Sequence, residues 1–144
     1  MTAAELTADR MDELAAAGRK IVEAMFGEDL IGDSGEEYGG GVAAVAGRLA
    51  LEQCYGEIWA RAGLGLRERS LVTLGLLVAQ RQPDELANHV RGALGNGVSA
   101  DEVREAILHT LPYVGFPALA TALTVTERTL ARYAPATESA GERT

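Results

Sequence analysis

Residues 82 to 108, QPDELANHVRGALGNGVSADEVREAIL, constrain the fold more than any other part of the chain, because they hold a helix start, a stop and a second start in close succession. Pro83 suits a first helical position, where the fixed φ helps and the missing N–H costs nothing. Asp84 and Glu85 follow at the positive end of the helix dipole, and GNG at 95–97 supplies the stop. Ser99 and Glu102 then form a capping box that opens a helix to about Leu111.

The rest of the chain reads the same way. Leu6, Asp9, Met11, Leu14, Ala17, Ile21, Val22, Met25 and Phe26 recur at a broken helical spacing and predict an amino-terminal helix. Residues 27–41, GEDLIGDSGEEYGGG, are rich in glycine and acid and predict a surface loop. That loop is no phosphate cradle, since it lacks the Gly-Lys-Ser/Thr ending and carries Asp33, Glu36 and Glu37. Helices are expected from Val42 to Arg61, with Val45, Leu49, Tyr55, Ile58 and Trp59 on the buried side, and from Leu66 to about Gln80. A last helix runs from Pro117 to about Tyr133, and residues 134–144 read as a frayed tail. No alternating strand pattern of useful length occurs. The expectation is an all-α fold of about six helices, forming one domain over the 144 residues.

Charge and composition narrow the function. The formal net charge of −8, with no basic run, argues against nucleic acid as a partner. Glu5, Asp9, Asp12 and Glu13 stand where a signal peptide needs a basic start and an apolar run, so a cytoplasmic protein is expected. Residues 109–126 approach the length of a membrane span, yet Pro112 and Pro117 interrupt them, and no membrane partner is expected. Cys54 is the single cysteine, with no partner for a disulfide and no neighbour for a metal cluster, and it reads as a small core residue. Oxidising folding and a structural zinc site both lose support.

The chain has two histidines. His89 lies three residues after Leu86 and four before Ala93, within the stripe Leu86, Val90, Ala93 and Leu94, so it faces the core side of its helix. His109 shares its side with Glu102 and Glu105, which suggests a boundary. Glu68 shares a face with Leu71, Val72 and Gly75, although an acid in a first helical turn beside Arg67 and Arg69 also has a plain dipole role.

Residues 55–130 resemble the carboxymuconolactone decarboxylase family, within the alkylhydroperoxidase D-like superfamily. The pieces that carry the likeness are GEIW, LRERSLVTL, HVRGALGNGVSADEVREAILHT and YVGFPA, in that order, while GRKIVEAMFGED at 18–29 is similar to the family's amino-terminal helix. The resemblance implies an all-helical domain that assembles into a homo-oligomer, a trimer or a hexamer. The superfamily's peroxidases follow a Glu with a Cys-x-x-Cys pair and then a His. Here Glu68 and His89 match, but QRQPDEL stands between them without a cysteine, so a dithiol peroxidase has no nucleophile.

The family reaction converts 4-carboxymuconolactone to an enol-lactone and carbon dioxide, through a dienolate that the substrate's own lactone carbonyl stabilises. The resemblance thus implies a cofactor-independent decarboxylase of a small carboxylate or lactone. His89 would be the proton shuttle and Glu68 the residue that orients it or sets its proton affinity. Arg69 or Arg91 would meet a substrate carboxylate, Tyr55 and Trp59 would wall the pocket, and His109 is a further candidate. The acidic loop suits a dianion poorly. It leaves open another acid/base or decarboxylation reaction on a larger aromatic or polyketide-like substrate, or a non-catalytic oligomeric binding protein.

Overall fold

The computed structural model describes residues 2–27 and 40–135. Most of the glycine-rich acidic stretch and the tail from 136 onward lie outside the described residues. The helices are α1 (Ala3–Phe26), α2 (Val42–Leu49), a π-helical segment (Ala50–Trp59), α3 (Leu66–Ala79), α4 (Pro83–Gly95), α5 (Ala100–His109), α6 (Leu111–Val114) and α7 (Phe116–Tyr133). With no strand among the described residues, the fold is all-α. None of the described helices is long and apolar enough to cross a membrane. The chain divides into two compact units, Met1–Ser70 and Leu71–Thr144.

In the first unit, α1 opens with a capping box between Thr2 and Glu5 and buries Gly18, Val22, Met25 and Phe26. Ile21, Leu51, Tyr55 and Trp59 pack against Val22, Met25 and Phe26. The contact between α1 and the π-helical segment depends on glycine. A Cβ on Gly18 would run into the Leu51 carbonyl oxygen, and one on Gly56 into the carbonyl oxygen of Leu14. The two backbones touch because neither position carries a side chain.

The π-helical segment overturns part of the expected pattern. Val45 and Ile58, expected on the buried side, are exposed, whereas Gly47, Glu52 and Gly56 are buried. Leu49, Tyr55 and Trp59 are half-buried. The Ala60 N–H donates to the Tyr55 carbonyl, an i→i−5 bond that widens the turn. Residues beyond Ala50 are thereby rotated away from where a 3.6-residue period puts them. Cys54, expected in the core, is exposed for the same reason.

The second unit packs Leu74, Val78, Leu86, Val90, Ala93, Val98, Val103, Ile107, Leu119, Ala122 and Leu130 into one core. On α3 the buried residues Leu74 and Val78 stand four apart, while Val72 and Leu76 are exposed. The face expected for Glu68 and Val72 is therefore the outer one. This helix is apolar on most sides, so its sequence period selects no unique face.

Helices α3 and α4 end in the same way. The Gln82 and Arg81 N–H groups donate to the carbonyls of Leu77 and Val78, and those of Val98 and Gly97 to the carbonyls of Ala93 and Leu94. Both pairs are Schellman closures. The left-handed residue is Gly97 (φ 83°) in one and Arg81 (φ 56°) in the other. Ser99 and Glu102 form the expected capping box. α5 stops at His109 rather than Leu111, where the buried Thr110 hydroxyl donates to the Ile107 carbonyl at 2.7 Å. Arg104 joins α5 to α7 by donating to both oxygens of Glu127, at 2.8 and 3.1 Å.

Candidate functional site

His89 projects from α4 between the core positions Leu86 and Val90 and is half-buried. Burial pushes its pKa below the ordinary imidazole value, and the carboxylate of Glu85, one turn earlier, opposes that shift in part. The imidazole is therefore neutral at neutral pH, able to accept a proton or to donate one N–H. No resident positive charge stands at this position.

Arg91 follows two residues later, which on a helix of 3.6 residues per turn is a rotation of about 200°. It therefore leaves α4 on nearly the opposite side from His89. Its guanidinium carbon lies 5.0 Å from the centre of the Tyr133 ring, and that of Arg132 lies 5.2 Å from the same centre. Both cations are held against one aromatic face system at the end of α7. His109 is exposed at the end of α5, with its ring 5.7 Å from that of Tyr113.

The other expected site residues belong to the first unit. Glu68 is half-exposed in the first turn of α3, 3.8 Å from Arg67, and its carboxylate folds back over Gly65. Arg69 donates from Nε to the Leu64 carbonyl and from Nη2 to the Arg61 carbonyl, both at 3.1 Å. These bonds clamp the turn that leads into α3. Tyr55 and Trp59 are brought together with ring centres 6.0 Å apart and belong to the cluster around Val22, Met25 and Phe26.

One charged pair escaped the sequence reading. Arg48 donates to both carboxylate oxygens of Glu52, which is buried inside the π-helical segment. An Arg and a Glu four apart on a helix read as a solvated surface pair, and only the burial of Glu52 sets them apart. Among the described residues no group of three or more His, Cys, Asp or Glu side chains is arranged to hold a metal ion.

An all-helical protein with a half-buried neutral histidine on a capped helix is the class that these observations define. The chain belongs to the carboxymuconolactone decarboxylase family, whose model matches residues 46–128. That span contains every expected site residue. The chain is 45% identical over 82 residues to a nitrosuccinic acid decarboxylase of Metarhizium robertsii, covering 57% of each protein. It is 45% identical over 73 residues to a 4-carboxymuconolactone decarboxylase of Acinetobacter baylyi, covering 51% of this chain and 54% of that one. The matched part is thus a little over half the length of either relative.

Proposed function

We propose that this chain is a decarboxylase that uses its substrate as the electron sink, with His89 handling the proton. The observation that carries the reading is the half-buried imidazole of His89, kept neutral by burial, in a family with two relatives named as decarboxylases. The acids in those two names share a chemical feature. In each, the carboxylate that can leave sits on a carbon whose bonding pair can move to oxygen, through a C=C bond to a lactone carbonyl or directly onto a nitro group. The C–C bond breaks, carbon dioxide leaves without that pair, and one proton returns to carbon.

A neutral imidazole suits this sequence. A cation against the departing carboxylate would stabilise the ground state, whereas an N–H aimed at the acceptor oxygen strengthens as charge arrives there. A neutral imidazole that takes a proton from water becomes, because burial lowers its pKa, a strong acid that can pass that proton to carbon.

The test is carbon dioxide release from 4-carboxymuconolactone and from nitrosuccinic acid, with His89→Gln beside the wild-type chain. The variant is expected to fold and to lose about a hundredfold or more in turnover. Full turnover in the variant would remove His89 from the chemistry. Absence of release from both acids by well-folded wild-type protein would remove the decarboxylase reading for this substrate type.

A further inference from the structure

If His89 gives a proton to carbon at every turnover, it must take one back from solvent each time, and it is half-buried. The resemblance offers Glu68, in the first unit, as its acid partner, but α4 carries an acid of its own. Glu85 stands four residues before His89 on the unbroken helix Pro83–Gly95. The two side chains therefore leave the same face one turn apart, with Cβ atoms about 5–6 Å from each other. Helical side chains lean toward the amino terminus, which carries the imidazole toward the turn that bears Glu85. Glu85 is exposed, so the pair runs from solvent to the edge of the core made by Leu86, Val90 and Ala93.

An acid in a first helical turn also has a plain role opposite the helix dipole. Asp84 has that role equally, yet it lies five residues before His89, a rotation of about 140° from it. Of these two acids, Glu85 shares the face of the imidazole. The charges on the helices packed against α4, which are α5 and α7, are engaged elsewhere. Glu102 closes the capping box, Arg104 bridges Asp101 and Glu127, and Arg132 lies over the Tyr133 ring. Glu105, His109 and Arg128 are exposed.

We propose that Glu85 is the positioning residue through which His89 takes its proton from solvent. An exposed carboxylate orders water at its oxygens, and its negative charge favours the imidazolium that forms when that water gives up a proton. Burial makes the imidazolium a ready donor, and Glu85 keeps it within reach of neutral solvent. The use of the proton rests on the decarboxylase reading, and there the balance closes. The imidazole takes a proton from water, the C–C bond to the carboxylate breaks, and its pair moves to the substrate's electron sink. The imidazolium then returns its proton to carbon, and the hydroxide left in solvent joins carbon dioxide as bicarbonate. Glu85 ends unchanged.

The test uses the full chain and follows the His89 ring by nuclear magnetic resonance as pH is varied, its signal being the one that His89→Gln removes. In Glu85→Gln the midpoint should move to lower pH, whereas Asp84→Asn should leave it in place. An unmoved midpoint in Glu85→Gln would overturn the proposal, as would an equal movement in Asp84→Asn. With an acid that the wild type decarboxylates, Glu85→Gln should lower kcat about tenfold at neutral pH with KM little changed. That deficit should narrow as pH falls, because solvent then charges the ring without help. Glu85→Ala, which leaves room for a small carboxylate, should regain turnover with added formate. A loss that neither acid pH nor formate repairs would reduce Glu85 to a structural role and overturn the proposal. A moved midpoint in a protein that decarboxylates neither acid would keep the coupling of Glu85 to His89 and discard the decarboxylase reading. Turnover that depends on His89 but ignores Glu85→Gln would do the reverse.

Discussion

Two glycines that accept the same substitution should answer it with opposite signs. Gly56→Ala puts a methyl group against the Leu14 carbonyl oxygen, with the Leu14 carbonyl carbon at 2.8 Å and the Leu51 carbonyl oxygen at 2.9 Å. Ordinary carbon contacts are near 3.5–4.0 Å, so α1 must withdraw by roughly 1 Å, a gap that forfeits a quarter to a half of each dispersion contact across it. Val22, Met25 and Phe26 make the contacts that loosen. Overpacking of this kind costs about 1–3 kcal/mol, against a gain of about 0.5–1 kcal/mol from replacing glycine in a helix. A net loss of about 1–2 kcal/mol follows. At Gly75, a helical position with nothing within 4 Å of the added Cβ, only the gain remains. Gly75→Ala should therefore stabilise by about 0.5–1 kcal/mol. Urea unfolding followed by far-ultraviolet circular dichroism measures both. The fluorescence of Trp59, the single tryptophan, reports the first unit on its own. A Gly56→Ala chain as stable as the wild type by that fluorescence would refute the close backbone crossing.

Two further outcomes follow from the same reasoning. Arg81 occupies a left-handed position that Gly97 fills in the equivalent closure of α4, so Arg81→Gly should be neutral or stabilising by up to about 1 kcal/mol, read as a rise in melting temperature. His89 has a folded-state pKa below its unfolded value near 6.5, so the unfolded chain binds the proton first as pH falls. Its contribution to stability is complete above that value and is lost as pH drops through the depressed folded value. Melting curves between pH 7 and pH 5 should decline more in the wild type than in His89→Gln, and parallel curves would count against burial of the imidazole.

Local chemistry made some elements legible and long-range packing hid others. Pro83, the GNG stop and the Ser99–Glu102 box act within a few residues of themselves, and the structure places all three where the sequence does. His89 was legible because Leu86, Val90 and Ala93 mark its side of the helix and are all buried. The closure at Arg81 was not, because the left-handed position carries an ordinary side chain where glycine is the usual signal. Glu68 was misplaced on α3 because an apolar run on most faces gives no period to follow. Ile58 and Cys54 were misplaced by a change of helical pitch that no single residue announces. Arg48 and Glu52 were passed over because the burial of Glu52 depends on neighbours remote in sequence.

The outward turn of Cys54 makes the chain convenient to measure. A maleimide spin label reacts at one point per molecule, five residues from the single tryptophan, with no competing thiol to block. In any assembly of identical copies, every label-to-label distance is then a distance between copies. A closed threefold ring gives one such spacing, and two stacked rings add others. Dipolar spectroscopy on one unmutated protein would thus read its symmetry directly.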